Sequence, residues 1–396
     1  MNKRGSAQAA KPRALFVVNV DWFFLSHRLP IALALLKAGF HVTVAAATTD
    51  KADKIRQHGL DFIDLPISRS GMNPFREIWT TLCLSRTCRR IQPDLIHFVT
   101  IKPILYGAFA TRLVKKTAAV NAITGLGFAF GKGLRARIRR AILLPFLRWA
   151  LHNSNSKTIF QNPVDLEQFV KSGLVARDNT VLIRGSGVDP VRYRPREEMV
   201  HDNMVVLASR MLWDKGIKQF VDAARIMQNG GCRAQCVLVG DADPENLGSI
   251  PRSQLEKWAE KGMVEWWGYR DDMPEVLSQA SVVVLPTEYP EGVPKVLLEA
   301  AACGRPIVAT DVPGCREIVR HGVNGLLVPP HDSTALAAAI QTLLASPELR
   351  EQFGKAGREI AVAEFSEDIV VKQTLALYQE LMGNRWPGDT VEKVRS

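Results

Sequence analysis

From Ala14 onward the chain alternates short apolar runs with longer stretches in which apolar residues recur every three or four positions. Runs near 14–20, 41–47, 61–66, 94–99, 118–123, 157–161 and 180–184 read as strands, and Leu29–Lys37, Pro74–Arg90 and Pro103–Lys115 as helices between them. Strand alternating with helix predicts an α/β fold with a parallel sheet covered on both faces. Ligands in such sheets bind at the carboxyl ends of the strands, which selects the loops Asn19–His27, Val99–Lys102 and Thr124–Gly127. After a linker at Asp189–Glu198 that contains Pro190 and Pro195, a second domain begins near Asp202. Within it, the run Val282–Pro286, a loop, a helix to Cys303-Gly304 and the run Pro306–Thr310 form a βαβ unit. The expected division is a tail at 1–13, a first domain at 14–190, a second at 200–365, a helix at 366–384 placed to pack back on the first domain, and a tail at 385–396.

Length supports that division, since 396 residues at 46% hydrophobic can bury two full cores. The apolar run Ala14–Val20 is stopped by Asp21, too short for a signal peptide, and no stretch approaches eighteen uninterrupted apolar residues. Six cysteines lack histidines at zinc spacing, so reduced thiols in a cytoplasmic protein are expected.

Charge divides the chain unevenly. Residues 1–190 hold 28 Lys+Arg against 11 Asp+Glu, a net +17, and residues 191–396 hold 23 against 29, a net −6. Leu95 to Val164 contains eleven basic residues and no acidic one, including Lys115, Lys116 and Arg148. Residues 134–151 read as a helix with a basic first half and an apolar second half. Lys132, Arg135, Arg137, Arg139 and Arg140 are expected to face lipid headgroups, each contributing about 1 kcal/mol of reversible attraction to an anionic leaflet. The protein is thus read as peripheral on a membrane, not integral to it. Aromatic residues are not interleaved with the basic ones as a stacking platform, which argues against nucleic acid, while a merely solvated basic face stays open.

The most informative chemistry lies in Glu291-Gly-Val-Pro-Lys-Val-Leu-Leu-Glu299, with two carboxylates eight positions apart at a loop and in the helix after it. Eight residues at 100° leave them about 80° apart on a helix, and closer if Glu291 lies in the loop, so both can reach one ligand. The helix N-terminus between them suits a phosphate, and a carboxylate a turn or two on suits sugar hydroxyls, so a nucleotide sugar is the predicted ligand. Upstream, Ala208-Ser-Arg-Met-Leu-Trp-Asp-Lys-Gly216 carries two cations, Arg210 and Lys215, a pair that on its own reads as surface charge.

Taken in order with Val237-Leu-Val-Gly240, Gly268-Tyr-Arg-Asp-Asp272 and His321–Pro329, these motifs resemble the retaining glycosyltransferases of family 4. The resemblance implies the GT-B architecture, two facing Rossmann-like domains with a cleft between. It implies Glu291 on donor-sugar hydroxyls, Glu299 on the ribose, and Arg210 with Lys215 on the leaving diphosphate. Gly292, Val293, Pro294, Gly240, Tyr269 and Arg270 would complete the donor site, the base being read mainly through backbone groups. Ser68–Phe75, Leu212–Lys218 and Thr124–Gly127 are similar to the branch that extends undecaprenyl-diphosphate-linked sugars in bacteria. That branch implies a UDP-sugar donor, an N-acetylhexosamine as the sugar moved, and a polyprenyl-diphosphate-linked acceptor held by the first domain.

On the acceptor side His27 and Arg28 are expected at the start of the first helix, aimed across the cleft, with Thr124 and Gly125 beside them. Many family members carry a His where this chain has Thr124-Gly125, so that role does not carry over. Asp241-x-Asp243 could be a metal pair, but Arg210 and Lys215 already offer positive charge to a diphosphate, so no metal is expected to be essential. Gly125-x-Gly127-x-x-x-Gly131 lacks the acidic residue a dinucleotide site needs about twenty positions on. An enzyme with a soluble acceptor, or a nucleotide-sugar-binding accessory protein, stays open, as does the oligomeric state.

Overall fold

A computed structural model describes residues 11–68, 73–114, 117–125, 134–153, 155–196, 201, 203–288 and 291–387, with 134–140 and 142 by backbone alone. The first half forms a parallel sheet of β1 (Arg13–Val20), β2 (His41–Ala47), β3 (Asp61–Asp64), β4 (Leu95–Val99), β5 (Ala118–Ile123), β6 (Ser156–Phe160) and β7 (Thr180–Leu182). Their order is β3-β2-β1-β4-β5-β6-β7. The second half contributes β8 (Met204–Ala208), β9 (Gln235–Val239), β10 (Glu265–Trp266), β11 (Val282–Leu285), β12 (Ile307–Thr310) and β13 (Gly325–Val328), in the order β10-β9-β8-β11-β12-β13. These are two Rossmann-like domains, and in each the order reverses between the first and fourth strands, β1/β4 and β8/β11, where a crevice opens at the carboxyl ends.

The central strands are apolar on both faces because helices cover both. Every residue of β4, β5, β8 and β11 is buried. On one face of the first sheet lie the helices Pro74–Ile91, Ile101–Leu113 and Leu134–Leu151, whose Leu84, Ile104 and Leu147 share a core with Leu15, Ile96 and Phe160. On the other face lies Leu29–Lys37, joined by the last helix, Glu367–Met382, which delivers Val370, Leu377 and Tyr378 into the core of Phe16, Leu35 and Val120. The Tyr378 hydroxyl meets Nδ1 of His97 on β4. Outgoing and returning segments cross side by side, with Val188 N–H donating to the Phe365 carbonyl at 2.9 Å and Glu367 N–H to the Val188 carbonyl at 2.9 Å.

Three local readings change. Asn19–His27, expected as a loop, contains a short helix, Asp21–His27, which ends where Pro30 restarts the chain as Leu29–Lys37. The helix expected at Pro103–Lys115 begins earlier, at Ile101, because proline fits the first turn, where its missing N–H has no partner to lose. The third strand stops at Asp64 rather than 66. Lys132, Lys115, Lys116 and Gly127 lie outside the described residues, and Arg135, Arg137, Arg139 and Arg140 fall on the helix Leu134–Leu151 with only their backbone described.

Candidate active site

At the crevice of the second sheet, the loop after β8 folds onto the loop after β11. Gly216 makes this contact possible, since its φ is +74° and a Cβ there would sit 2.0 Å from the Pro286 carbonyl oxygen. The loops are then stitched, with Glu288 N–H donating to the Asp214 carbonyl at 2.9 Å and the Thr287 hydroxyl donating to the same carbonyl at 3.2 Å. This brings Lys215 Nζ to 2.5 Å from Glu291 Oε1, which also accepts from Thr287 Oγ1 at 2.9 Å. Both charged side chains are largely shielded, at 14% and 16% exposure. Asp214 is held above the usual carboxylate range, first by burial and then by Glu291, against the pull of Lys215 and Arg210.

Arg210 stands beside this group and is more open. It donates from Nη1 to Asp243 Oδ2 at 3.1 Å, and its guanidinium lies 6.0 Å from the centre of the Trp22 ring, which belongs to the first domain. Asp241, the other carboxylate of the pair weighed as a metal site, pairs with Arg252 at 3.1 Å. Among the described residues no group of three or more His, Cys, Asp and Glu is placed to hold a metal ion.

The two domains meet at the acidic motif itself. Gly125 and Glu291 form an antiparallel bridge, and Gly292 N–H donates to the Thr124 carbonyl at 3.1 Å. A side chain at 292 would stand 1.8 Å from Gln161 Oε1, the atom that accepts from Val293 N–H at 3.2 Å. Lys295 spans the cleft from the other side, donating from Nζ to the Ser26 carbonyl at 2.5 Å. Thr124 and Gly125 therefore touch the Glu291 loop through their backbone.

His27 also faces this region. Its ring stacks on Phe23 with centroids 4.0 Å apart, and Nδ1 lies 2.6 Å from Ser26 Oγ. Burial, reinforced by the cations Lys295, Arg28 and Arg210, pushes its pKa well below the usual value, so the ring is neutral at pH 7.

Several predicted residues sit elsewhere. His27 closes a helix rather than opening one, and Arg28 does not cross the cleft: it is 3% exposed, bonds the His27 carbonyl at 2.9 Å, and lies close enough to Tyr378 and His97 to perturb both. Burial lowers its pKa to about 10. The register of the short helix explains this, because Pro30 restarts the chain inward at that point. Helix Lys295–Ala302 starts four residues after Glu291, and Glu299 is 8% exposed, close to Tyr193 of the linker and to Lys295, and held above the usual carboxylate range by burial. Pro294 caps that helix and Val293 is buried in the core. Arg270 is clamped to Asp272, with Nε 2.7 Å from Oδ1, and Tyr269 is exposed near Lys51 of the first domain. Both hydrogen-bonding groups of the Gly240 backbone are engaged, its N–H with the Gly268 carbonyl at 2.7 Å and its carbonyl with Trp266 Nε1 at 2.8 Å.

The sequence reading passed over Asp214, Thr287, Gln161 and Lys295. Thr287 and Lys295 were legible as polar residues flanking the acidic motif. Asp214 and Gln161 act through contacts between segments far apart in the chain, and carry no local signal.

Residues 13–162 match the family described as Glycosyl transferase 4-like, and residues 202–346 the family described as Glycosyl transferases group 1. The chain is a GT-B glycosyltransferase belonging to these families. It is 28% identical over 91% of its length, and 99% of the relative's, to the N,N'-diacetylbacillosaminyl-diphospho-undecaprenol alpha-1,3-N-acetylgalactosaminyltransferase of Campylobacter jejuni. It is 26% identical over 96% of its length, and 99% of the relative's, to the putative glycosyltransferase EpsD of Bacillus subtilis. Among solved structures, the sucrose-phosphate synthase of Thermosynechococcus elongatus superposes with a TM-score of 0.78 at 24% identity, covering 94% of this chain and 99% of that one. HepE of Anabaena in complex with UDP-glucose gives 0.75 at 20% identity, covering 93% and 99%.

Proposed function

We propose that the protein is a retaining glycosyltransferase that moves an N-acetylhexosamine from a UDP-sugar to a polyprenyl-diphosphate-linked saccharide in bacterial glycan assembly. The observation that carries this reading is the Lys215–Glu291–Thr287 cluster at the crevice of the second sheet, bonded through Gly292 to Thr124 of the first domain. The full-length relative from Campylobacter jejuni, named for an undecaprenyl-diphosphate-linked acceptor, supports the acceptor class. The solved complex of HepE with UDP-glucose supports the donor class.

In this mechanism the donor diphosphate takes Lys215 and Arg210 as counterions, and Lys215 exchanges Glu291 for a phosphate. Glu291 is released to accept hydrogen bonds from hydroxyls of the donor sugar. Negative charge grows on the diphosphate as the anomeric C–O bond breaks, so attraction to the two cations strengthens toward the transition state, which lowers the barrier. The acceptor hydroxyl attacks from the face the diphosphate leaves, and its proton passes to the departing phosphate oxygen, giving retention. Glu299 holds the ribose. Gly240, Gly292, Val293, Pro294, Tyr269 and Arg270 shape the donor pocket, while His27, Thr124 and Gly125 line the acceptor side. Arg28 supports that side from within the core. No metal is assigned a role, and the enzyme works at the inner face of the plasma membrane.

A panel of UDP-sugars incubated with a polyprenyl-diphosphate-linked acceptor tests the reading. Turnover with one UDP-N-acetylhexosamine and an α-linked product by NMR is expected. Turnover with soluble saccharides alone, or a β-linked product from an α-linked donor, overturns it.

A further inference from the structure

We propose that the outward face of the Pro74–Ile91 helix is the surface that seats this protein on an anionic bilayer. The helix buries Leu84 and Cys88 in the core yet leaves larger apolar side chains outside. Thr80, Ser85 and Thr87 are turned inward and buried, whereas Phe75, Ile78, Trp79 and Leu82 point outward at 84%, 59%, 54% and 45% exposure. At 100° per residue these four, together with the exposed Arg86, Arg89 and Arg90, fall within an arc of about 120°. One stripe is therefore apolar over its first half and basic over its second, with the Arg86 guanidinium 5.7 Å from the centre of the Trp79 ring. The only acidic residue of the helix, Glu77, is turned inward onto Lys102 at 2.9 Å.

A water-soluble surface does not explain this arrangement. Seven of the sixteen large hydrophobic residues exposed among the described ones sit on this helix and its two neighbours, Ile101–Leu113 and Leu134–Leu151, so the apolar surface is concentrated on one layer. The occupant is identified by charge. Among the described residues no ion pair engages these cations, and the stripe lies in a first half of net +17, which suits a phosphate-bearing surface with an apolar interior below it. A second copy of the chain would instead bury the three guanidiniums against apolar side chains or against one another.

The direction of the helix adds a functional consequence. A helix that follows a parallel strand starts at the carboxyl edge of the sheet, so Phe75, Ile78 and Trp79 stand at the cleft end and the arginines at the far end. Anchoring by the apolar end turns the cleft toward the bilayer from which a lipid-linked acceptor enters. This inference rests on the membrane-linked acceptor proposed above and names the surface that serves it.

The test is flotation of the full chain with vesicles of phosphatidylcholine, with and without phosphatidylglycerol, at low and high salt. Wild type is expected to bind the anionic vesicles. Ile78→Asp with Trp79→Asp is expected to weaken binding by about tenfold or more at either salt, and Arg86→Gln with Arg89→Gln and Arg90→Gln to weaken it at low salt only. Both variants should keep their melting temperature and their turnover of a short-chain, water-soluble acceptor. If the double aspartate variant binds as wild type does, this face is overturned while the membrane reading stands. Absence of wild-type binding overturns both. A wild-type dimer that the aspartates dissolve assigns the face to a second copy and overturns the bilayer as its occupant.

Discussion

The two sheets of this protein share a strand order and a switch point, yet they use the switch point differently. In the first, the loop after β1 begins with Asp21, which is fully buried and spends its oxygens on the backbone N–H groups of Trp22 and Thr49 at 2.7 Å and on the Thr49 hydroxyl at 2.6 Å. In the second, the loops after β8 and β11 hold Arg210, Lys215 and Glu291, whose charges meet other side chains that a ligand can replace. A carboxylate saturated by backbone donors fixes a loop, whereas one held by a lysine can exchange that partner for an anion. The same fold thus gives one domain a braced wall and the other a loaded site.

The sharpest way to break this contrast is Lys215→Ala. It should lower kcat by about a hundred- to a thousandfold without shifting the melting temperature, as for loss of one transition-state contact. Near-normal turnover would return Lys215 to a structural role. Glu299→Gln refines the picture within the second domain, because it keeps the size of this buried side chain while weakening the hold on hydroxyls. We expect donor KM to rise about tenfold with kcat little changed, against near-complete loss in Glu299→Ala; equal loss in both would make the charge itself essential.

Acidity probes the first domain. His27 and His97 both have folded-state pKa values below the unfolded value, so the unfolded chain takes up protons first as pH falls. Their contribution to stability is present above about pH 6.5 and is lost below it, toward the depressed folded values. Asp165, raised to about 6 by burial, and Glu299 act in the opposite sense, so the comparison must be with a variant. Melting curves should show a smaller loss between pH 7 and pH 5 for His27→Gln than for wild type. Arg28→Met should have the smallest effect. A buried guanidinium whose Nε lacks a hydrogen-bond partner is costly, and an apolar replacement of similar length should leave the melting temperature equal or higher and turnover within about threefold. A large loss of kcat would place Arg28 in the acceptor site after all.

Period and punctuation determined much of this protein by themselves. Uninterrupted apolar runs set the parallel strands, and Pro74 marked a helix start. The resemblance of the Arg210–Lys215 and Glu291 motifs to a family singled out the residues that the fold gathers at the crevice of the second sheet. The stripe on Pro74–Ile91 was also written in the letters, but a helical repeat looks the same whether its apolar side faces a core or the outside. What tertiary structure alone decided is that the Glu291 loop meets the first domain, that Glu299 is buried beside Tyr193, and that Arg28 turns into the core. The reason is physical. Sequence spacing fixes angles within one element, whereas the burial of Glu299 beneath Tyr193, the inward turn of Arg28 toward Tyr378, and the seam from Thr124 to Gly292 depend on how segments some 100 to 350 residues apart come to rest against one another.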